Sequence, residues 1–232
     1  EYDAFGVDLP SEHSDRYAMA QEWFDYVTRL WKEDSAFDWD GTFFRGKGVY
    51  GQPHPVQARV PIINAAASEE GRAFAMRNAD FLFTPVFDFG QAQETVEDIK
   101  SKALSVERDV EVLTFCTVVC RPTQKEAEDY LDWYANENAD WDAVNNLMTL
   151  QGMHAQSFTK EALAMFRDRF AAGHGGFPLV GTPDHIADQL EQLSATGVAG
   201  TTLSFVDYAK EFPYFRQEVM PRLEAKGLRQ PI

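Results

Sequence analysis

From Val60 onward the chain alternates apolar runs of strand length with stretches of helical periodicity, and this alternation restricts its fold more than any other feature. The runs cover residues 60–66, 81–87, 110–119 and 200–205, and each is followed by a helical stretch. A strand with one wet face would alternate apolar and polar residues. These runs are nearly continuously apolar, which predicts strands buried on both faces in a parallel sheet covered by helices. The helices fall at 69–78, 91–105 and 211–226, with one more opened by Thr182 as N-cap and Pro183 at its first position.

Ahead of Val60, the residues Tyr17, Ala20, Phe24, Val27 and Trp31 recur every three or four positions, which predicts a helix over 15–33. Residues 38–50 are aromatic and glycine-rich around an Asp40-Gly41 turn signal and read as a loop or short hairpin, closed off by Gln52-Pro53-His54-Pro55. After the third run, Thr123 and Glu126 form a capping box that opens a helix through about residue 136. A second helix carries Trp141, Val144, Leu147 and Met148 on one face, and a third covers about 160–172. With no strand between them, these helices form an insertion over about 123–172. The glycine-rich stretch 173–178 reads as a mobile loop leading to Leu179-Val180-Gly181. Four parallel strands are few for a closed barrel, and an eight-stranded (β/α) barrel takes ~250 residues. The expected fold is therefore α/β, the C-terminal part of a TIM barrel whose first strands are missing or supplied elsewhere.

Composition narrows the partners. The chain holds 37 acidic and 21 basic residues, a net charge of −16, which repels nucleic acid and anionic lipid. No run reaches the ~18 to 20 apolar residues of a membrane span, so the sequence predicts a soluble, cytoplasmic protein. Cys116 and Cys120 are the only cysteines; on an extended strand they point the same way, roughly 13 Å apart, too far for a disulfide. Two reduced, buried thiols are expected. The histidines at 13, 54, 154, 174 and 185 show no metal-ligand spacing, so no metal is expected. A hydrolase is disfavoured, because there is no G-x-S-x-G elbow and Ser204 lacks the flanking glycines.

The strongest local signal is Asn64-Ala65-Ala66-Ala67-Ser68-Glu69-Glu70-Gly71 at the end of a buried strand. Small side chains let a ligand approach the backbone, Ser68 offers a hydroxyl, and the following helix N-terminus offers N–H groups to a phosphate. An ordinary serine N-cap fits the same residues, and the local sequence does not choose between the two. Arg16, placed against the dipole at the start of a helix, could bring a cation to such a phosphate.

Taken as an ordered set, Glu1-Tyr2-Asp3-Ala4-Phe5-Gly6, Glu12-His13-Ser14-Asp15-Arg16-Tyr17, the Asp40-Gly41-x-Phe43-Phe44 turn, the small-residue loop ending in Ser68, and the stretch from Gly175 to Thr182 resemble the bacterial luciferase-like flavin-dependent monooxygenases. Within them the dimethyl sulfone and alkanesulfonate monooxygenase group is the most similar. The resemblance implies a (β/α)₈ barrel, 1–232 forming one such domain without its N-terminal strands, and FMN bound at the C-terminal strand ends. It implies flavin contacts at Glu1, Arg16, Tyr17 and Ser68, and leaves the catalytic residues unassigned. It implies a two-component enzyme: a separate NAD(P)H-dependent flavin reductase supplies reduced FMN, and oxygen from O₂ enters a small organosulfur compound through a flavin C4a-(hydro)peroxide. A homodimer or homotetramer is expected, and the insertion with the loop after it would serve as a lid. The rivals are ring opening of a pyrimidine or other N-heterocycle by the same flavin chemistry, and a flavin-binding paralogue without turnover.

Overall fold

The computed structural model describes residues 4, 6, 9–66, 68–153 and 159–231. The first long element is the helix α1 (His13–Lys32). It is followed by an antiparallel hairpin of β1 (Phe37–Asp40) and β2 (Arg45–Val49). The hairpin is strapped to α1 by one side chain: the Glu22 carboxylate accepts the backbone N–H groups of Thr42, Phe43 and Phe44 at 2.8 to 3.2 Å and the Trp39 indole N–H at 3.3 Å.

The alternating part follows as β3 (Ile63–Asn64), α2 (Glu69–Asn78), β4 (Phe81–Phe83), α3 (Phe89–Leu104) and β5 (Glu111–Cys120). Between β5 and the next strand come α4 (Gln124–Asp132), a π-helical turn (Trp133–Glu137), α5 (Trp141–Leu150) and α6 (Lys160–Gly173). Then follow β6 (Phe177–Gly181), α7 (Pro183–Ala195), β7 (Val198–Ser204), α8 (Tyr208–Glu218) and α9 (Met220–Ala225). Every pairing from β3 to β7 is parallel. Strand β5 is the hub: β7 runs along Val112–Thr117, so β4, opposite Glu111–Leu113, and β6, opposite Cys116–Cys120, follow each other on its other edge.

Two expectations are corrected, and one open alternative, loop or hairpin at 38–50, is decided. The sheet has a fifth parallel strand among the described residues, because the 173–178 stretch is not a free loop. Gly175 and Gly176 are buried, and β6 starts at Phe177. A Cβ at Gly173 or Gly176 would run into the Thr117 side chain, whose hydroxyl donates to the Gly173 carbonyl at 3.2 Å, so glycine permits the close approach that pins this segment to β5. The last helix is broken at Val219 into α8 and α9, and Pro221 sits in the first turn of α9, where its missing N–H costs no helical bond. The residues read as loop or hairpin at 38–50 are a paired hairpin.

The main core lies between the sheet and its helices. Leu82, Val112, Cys116, Val118, Cys120 and Leu179 of the strands meet Val96, Ile99, Ile186, Leu193 and Phe215 of the helices. Side chains alternate along a strand, so Phe83, Leu113 and Phe115 project from the opposite face, where Phe83 and Phe115 stack at 5.7 Å. Both thiols are free and buried, and burial pushes each up to about 11. No helix among the described residues is long and apolar enough to cross a membrane.

Candidate functional site

Because the strands are parallel, their C-terminal ends and the loops that follow share one face, and in barrel folds that face carries the chemistry. Ser68 stands there, in the loop from β3 to α2. Its extended backbone (φ −72°, ψ 161°) makes it the N-cap of α2, and its Oγ accepts the Gly71 N–H at 3.2 Å. Tyr17 reaches the same point from α1, its hydroxyl 3.4 Å from Ser68 Oγ. The Tyr17 ring is braced by Phe74 of α2, with centroids 6.1 Å apart.

The Tyr17 and Ser68 hydroxyls are 3.4 Å apart, and either can donate to the other, while Ser68 Oγ also accepts the Gly71 N–H. Beside it are the first N–H groups of α2, which the helix dipole makes attractive to an anion. A Cβ at Gly71 would collide with the Tyr17 hydroxyl and with Ala66 Cβ, so the corner closes only around a glycine.

Of the residues singled out from the sequence, the structure brings Tyr17 and Ser68 together. Arg16 Nη1 donates to the carbonyls of Pro10 at 3.1 Å and Ser11 at 2.7 Å, so its guanidinium fastens the loop ahead of α1. Glu1 lies outside the described residues. Sequence reasoning does not reach Gly71 and Ala66 as site residues in their own right. A glycine inside a first helical turn costs about 1 kcal/mol relative to alanine, and that cost is the available signal.

The neighbouring loop, from β4 to α3, is gripped by the helices inserted after β5. Val144, Met148, Phe166 and Phe170 form a small core of their own with Phe87 against it, and Phe87 meets Phe166 edge-on at 5.0 Å. Arg169 of α6 donates to the Phe87 carbonyl at 2.6 Å. Burial pulls the Arg169 pKa down, and the charge of Asp88 offsets only part of that. The insertion is thus seated on the loop next to the Tyr17–Ser68 corner.

At the end of β5, Arg121 donates to the Glu211 carboxylate at 2.5 Å while lying over the Tyr130 ring, 4.0 Å from its centroid. Glu211, only 8% exposed, also accepts the N–H groups of Val206 and Asp207, which ties the loop after β7 to the loop after β5.

The parallel sheet, the helices that cover it and this small-residue corner at a strand end define an α/β protein with its candidate site at the C-terminal ends of the strands. Residues 1–200 match the luciferase-like monooxygenase family, and the chain belongs to it. It is 30% identical to the FMNH(2)-dependent dimethylsulfone monooxygenase of Pseudomonas fluorescens (strain Pf0-1), over 93% of this chain and 61% of that relative. It is 29% identical to the FMNH(2)-dependent dimethylsulfone monooxygenase of Pseudomonas putida, over 90% of this chain and 59% of that relative. Among solved structures it is similar to DmoA from Hyphomicrobium sulfonivorans, with a TM-score of 0.83 at 22% identity, covering 97% of this chain and 59% of that one. A riboflavin lyase crystallised with modified FMN and riboflavin gives 0.82 at 23% identity, covering 98% of this chain and 61% of that one. These structural likenesses establish the α/β fold of the luciferase-like barrels. The chain spans about six-tenths of the length of the relatives it matches.

Proposed function

We propose that the chain supplies the flavin-phosphate end of an FMNH2-dependent monooxygenase that places an oxygen atom from O₂ into a small organosulfur compound. The observation that carries this reading is the Tyr17–Ser68 corner at the head of α2. There the Ser68 hydroxyl and the N–H groups of the first turn would hold the phosphate of FMN, and Tyr17 would fix the hydroxyl's direction. The glycine at 71 lets Tyr17 and Ala66 pack directly against the first turn of α2, which would hold the Tyr17 hydroxyl beside Ser68.

Bound reduced FMN supplies the oxygen chemistry; the protein's part is to hold it and keep water away. The stacked Phe83 and Phe115 offer an apolar floor on the inner face of the sheet, and the insertion, clamped by Arg169 to the Phe87 loop, offers a cover. Arg16, by fastening the loop ahead of α1, would set the position of Tyr17 beside it. Glu1 is retained as a further flavin contact from the family resemblance alone. The organosulfur substrate is supported by the identity to a dimethylsulfone monooxygenase. A pyrimidine monooxygenase of Acinetobacter baylyi (strain ATCC 33305 / BD413 / ADP1), at 25% identity, marks the rival substrate class.

A separate flavin reductase is the expected partner, with cytoplasmic location and a homodimer or homotetramer as accompanying proposals. The test is oxygen uptake by the protein with a flavin reductase, NADH and FMN, with dimethyl sulfone, an alkanesulfonate or uracil added in turn. Uptake stimulated by an organosulfur compound supports the reading. Stimulation by uracil alone would replace the substrate class, and tight flavin binding with no stimulation by any substrate would mark a non-catalytic flavoprotein.

A further inference from the structure

A cavity of about 340 Å³ opens between α1, the segment leading into β3 and the far end of α2. Ser68 caps the start of α2 and Arg77 lies in its last turn, so about 14 Å of helix separates this cavity from the flavin corner. Its charged lining is entirely cationic: Lys32, Arg59 and Arg77. In a chain with 37 acidic residues against 21 basic ones, a cavity lined by cations and by no carboxylate among the described residues is against the trend of the whole surface. The nearest counter-charge is already shared. Asp80 accepts from Arg59 Nε at 2.7 Å and lies 3.5 Å from Arg108 Nη2, so one carboxylate serves two guanidinium groups. Lys32 and Arg77 have no ion-pair partner among the described residues.

Helix dipoles explain part of this arrangement and not the rest. Lys32 and Arg77 each sit in the last turn of a helix, where a cation is favourable. Arg59 belongs to no helix, yet it faces the same space. Phe24, Trp31 and Ile62 add aromatic and apolar surface to the same lining, beside the polar Thr28, Gln57 and Asn78. Charge of one sign beside aromatic surface in a single lining is the composition of a pocket for an organic anion, and its volume lies within the ~300 to 1,000 Å³ range of small-molecule sites.

We propose that this cavity binds an aryl phosphate or similar organic anion, its oxygens taken by Lys32, Arg59 and Arg77 and its ring laid against Trp31 and Phe24. The site is separate from the flavin corner and does not depend on the monooxygenase reading.

The probe is 1-naphthyl phosphate, titrated calorimetrically into the whole chain, into Lys32→Glu and Arg77→Glu, and into Lys125→Glu as an exposed control on α4. Lys32→Gln and Arg77→Gln serve if a charge reversal fails to fold, with circular dichroism deciding that point. Each change at 32 or 77 should weaken binding about tenfold or more, the scale of one lost charge-assisted hydrogen bond, and Lys125→Glu should leave it unchanged. Ser68→Ala should leave probe binding unchanged, and 1-naphthol should bind far more weakly. Absence of binding at millimolar probe would overturn the proposal, as would equal binding by the variants or equal binding of naphthol. Loss of probe binding in Ser68→Ala would also overturn it, by moving the anion to the Ser68 corner.

Discussion

Replacing Gly71 with alanine sets two effects of opposite sign against each other. Helix propensity alone favours alanine in α2 by about 1 kcal/mol. The new Cβ, however, would collide with the Tyr17 hydroxyl and with Ala66 Cβ, and would lie 3.0 Å from Tyr17 Cζ. Ala66 Cβ is fixed to the backbone and cannot rotate away, and the Tyr17 ring is braced by Phe74. Relief must come from displacing Tyr17 together with a backbone shift that parts residues 66 and 71, at the ~1 to 3 kcal/mol typical of overpacking. The net expectation is a loss of about 0 to 2 kcal/mol, with the 3.4 Å Tyr17–Ser68 contact broken. Urea denaturation followed by tryptophan fluorescence should show a lower midpoint at unchanged slope. FMN affinity should fall about tenfold, the weight of one charge-assisted hydrogen bond. Adding Tyr17→Phe removes the colliding hydroxyl and should restore part of the stability without restoring FMN affinity. A Gly71→Ala protein about 1 kcal/mol more stable, with unchanged FMN affinity, would refute the steric reasoning.

Three further outcomes follow from the geometry. Burial raises the Glu22 carboxyl, but the N–H groups of Phe43 and Phe44, the Trp39 indole and the Thr42 N–H more than reverse this and hold it below its ordinary value. Its contribution is therefore present at neutral pH and lost as pH falls through that lowered value: Trp39 fluorescence should change in acid, and Glu22→Ala should show the released signal already at pH 7. Arg121→Ala leaves the Glu211 carboxylate, 8% exposed, without its cation, and should cost about 3 kcal/mol in urea denaturation; Arg121→Met with Glu211→Gln, which keeps an acceptor for the Val206 and Asp207 N–H groups, should recover part of it. With both thiols pushed up to about 11 by burial, a thiol-reactive disulfide at pH 8 should label neither Cys116 nor Cys120 until the chain is unfolded.

Apolar runs make β4, β5 and β7 legible in the sequence, but burial on both faces holds only for the second half of β5: β4 buries Leu82 alone and β7 buries Val198 alone; capping signals locate the starts of α4 and α7. The strand β6 is hidden because Gly-Gly-Phe-Pro carries turn signals and Pro178 lacks an N–H. It forms because β6 pairs with β5 alone among the described residues, so its other edge needs no donor there. The runs at 60–66 and 81–87 yield strands of only Ile63–Asn64 and Phe81–Phe83, because apolar residues beyond the ladder, such as Phe87, pack on the inserted helices instead. The N-cap at Ser68 is visible locally. Its contact with Tyr17, 51 residues away, is not, since nothing in either segment encodes the other. Arg16 shows the limit of local electrostatics: its position against the helix dipole is offset by two loop carbonyls that sequence could not place.

The central claim, that the Tyr17–Ser68 corner holds a flavin phosphate, is tested most directly by titrating the protein and its Ser68→Ala variant with FMN and with riboflavin, which lacks the phosphate. FMN should bind the unaltered chain well ahead of riboflavin, and Ser68→Ala should lower FMN affinity about tenfold while leaving riboflavin affinity where it was. Equal affinity for the two flavins in the unaltered protein, or an equal loss of both in Ser68→Ala, would contradict it.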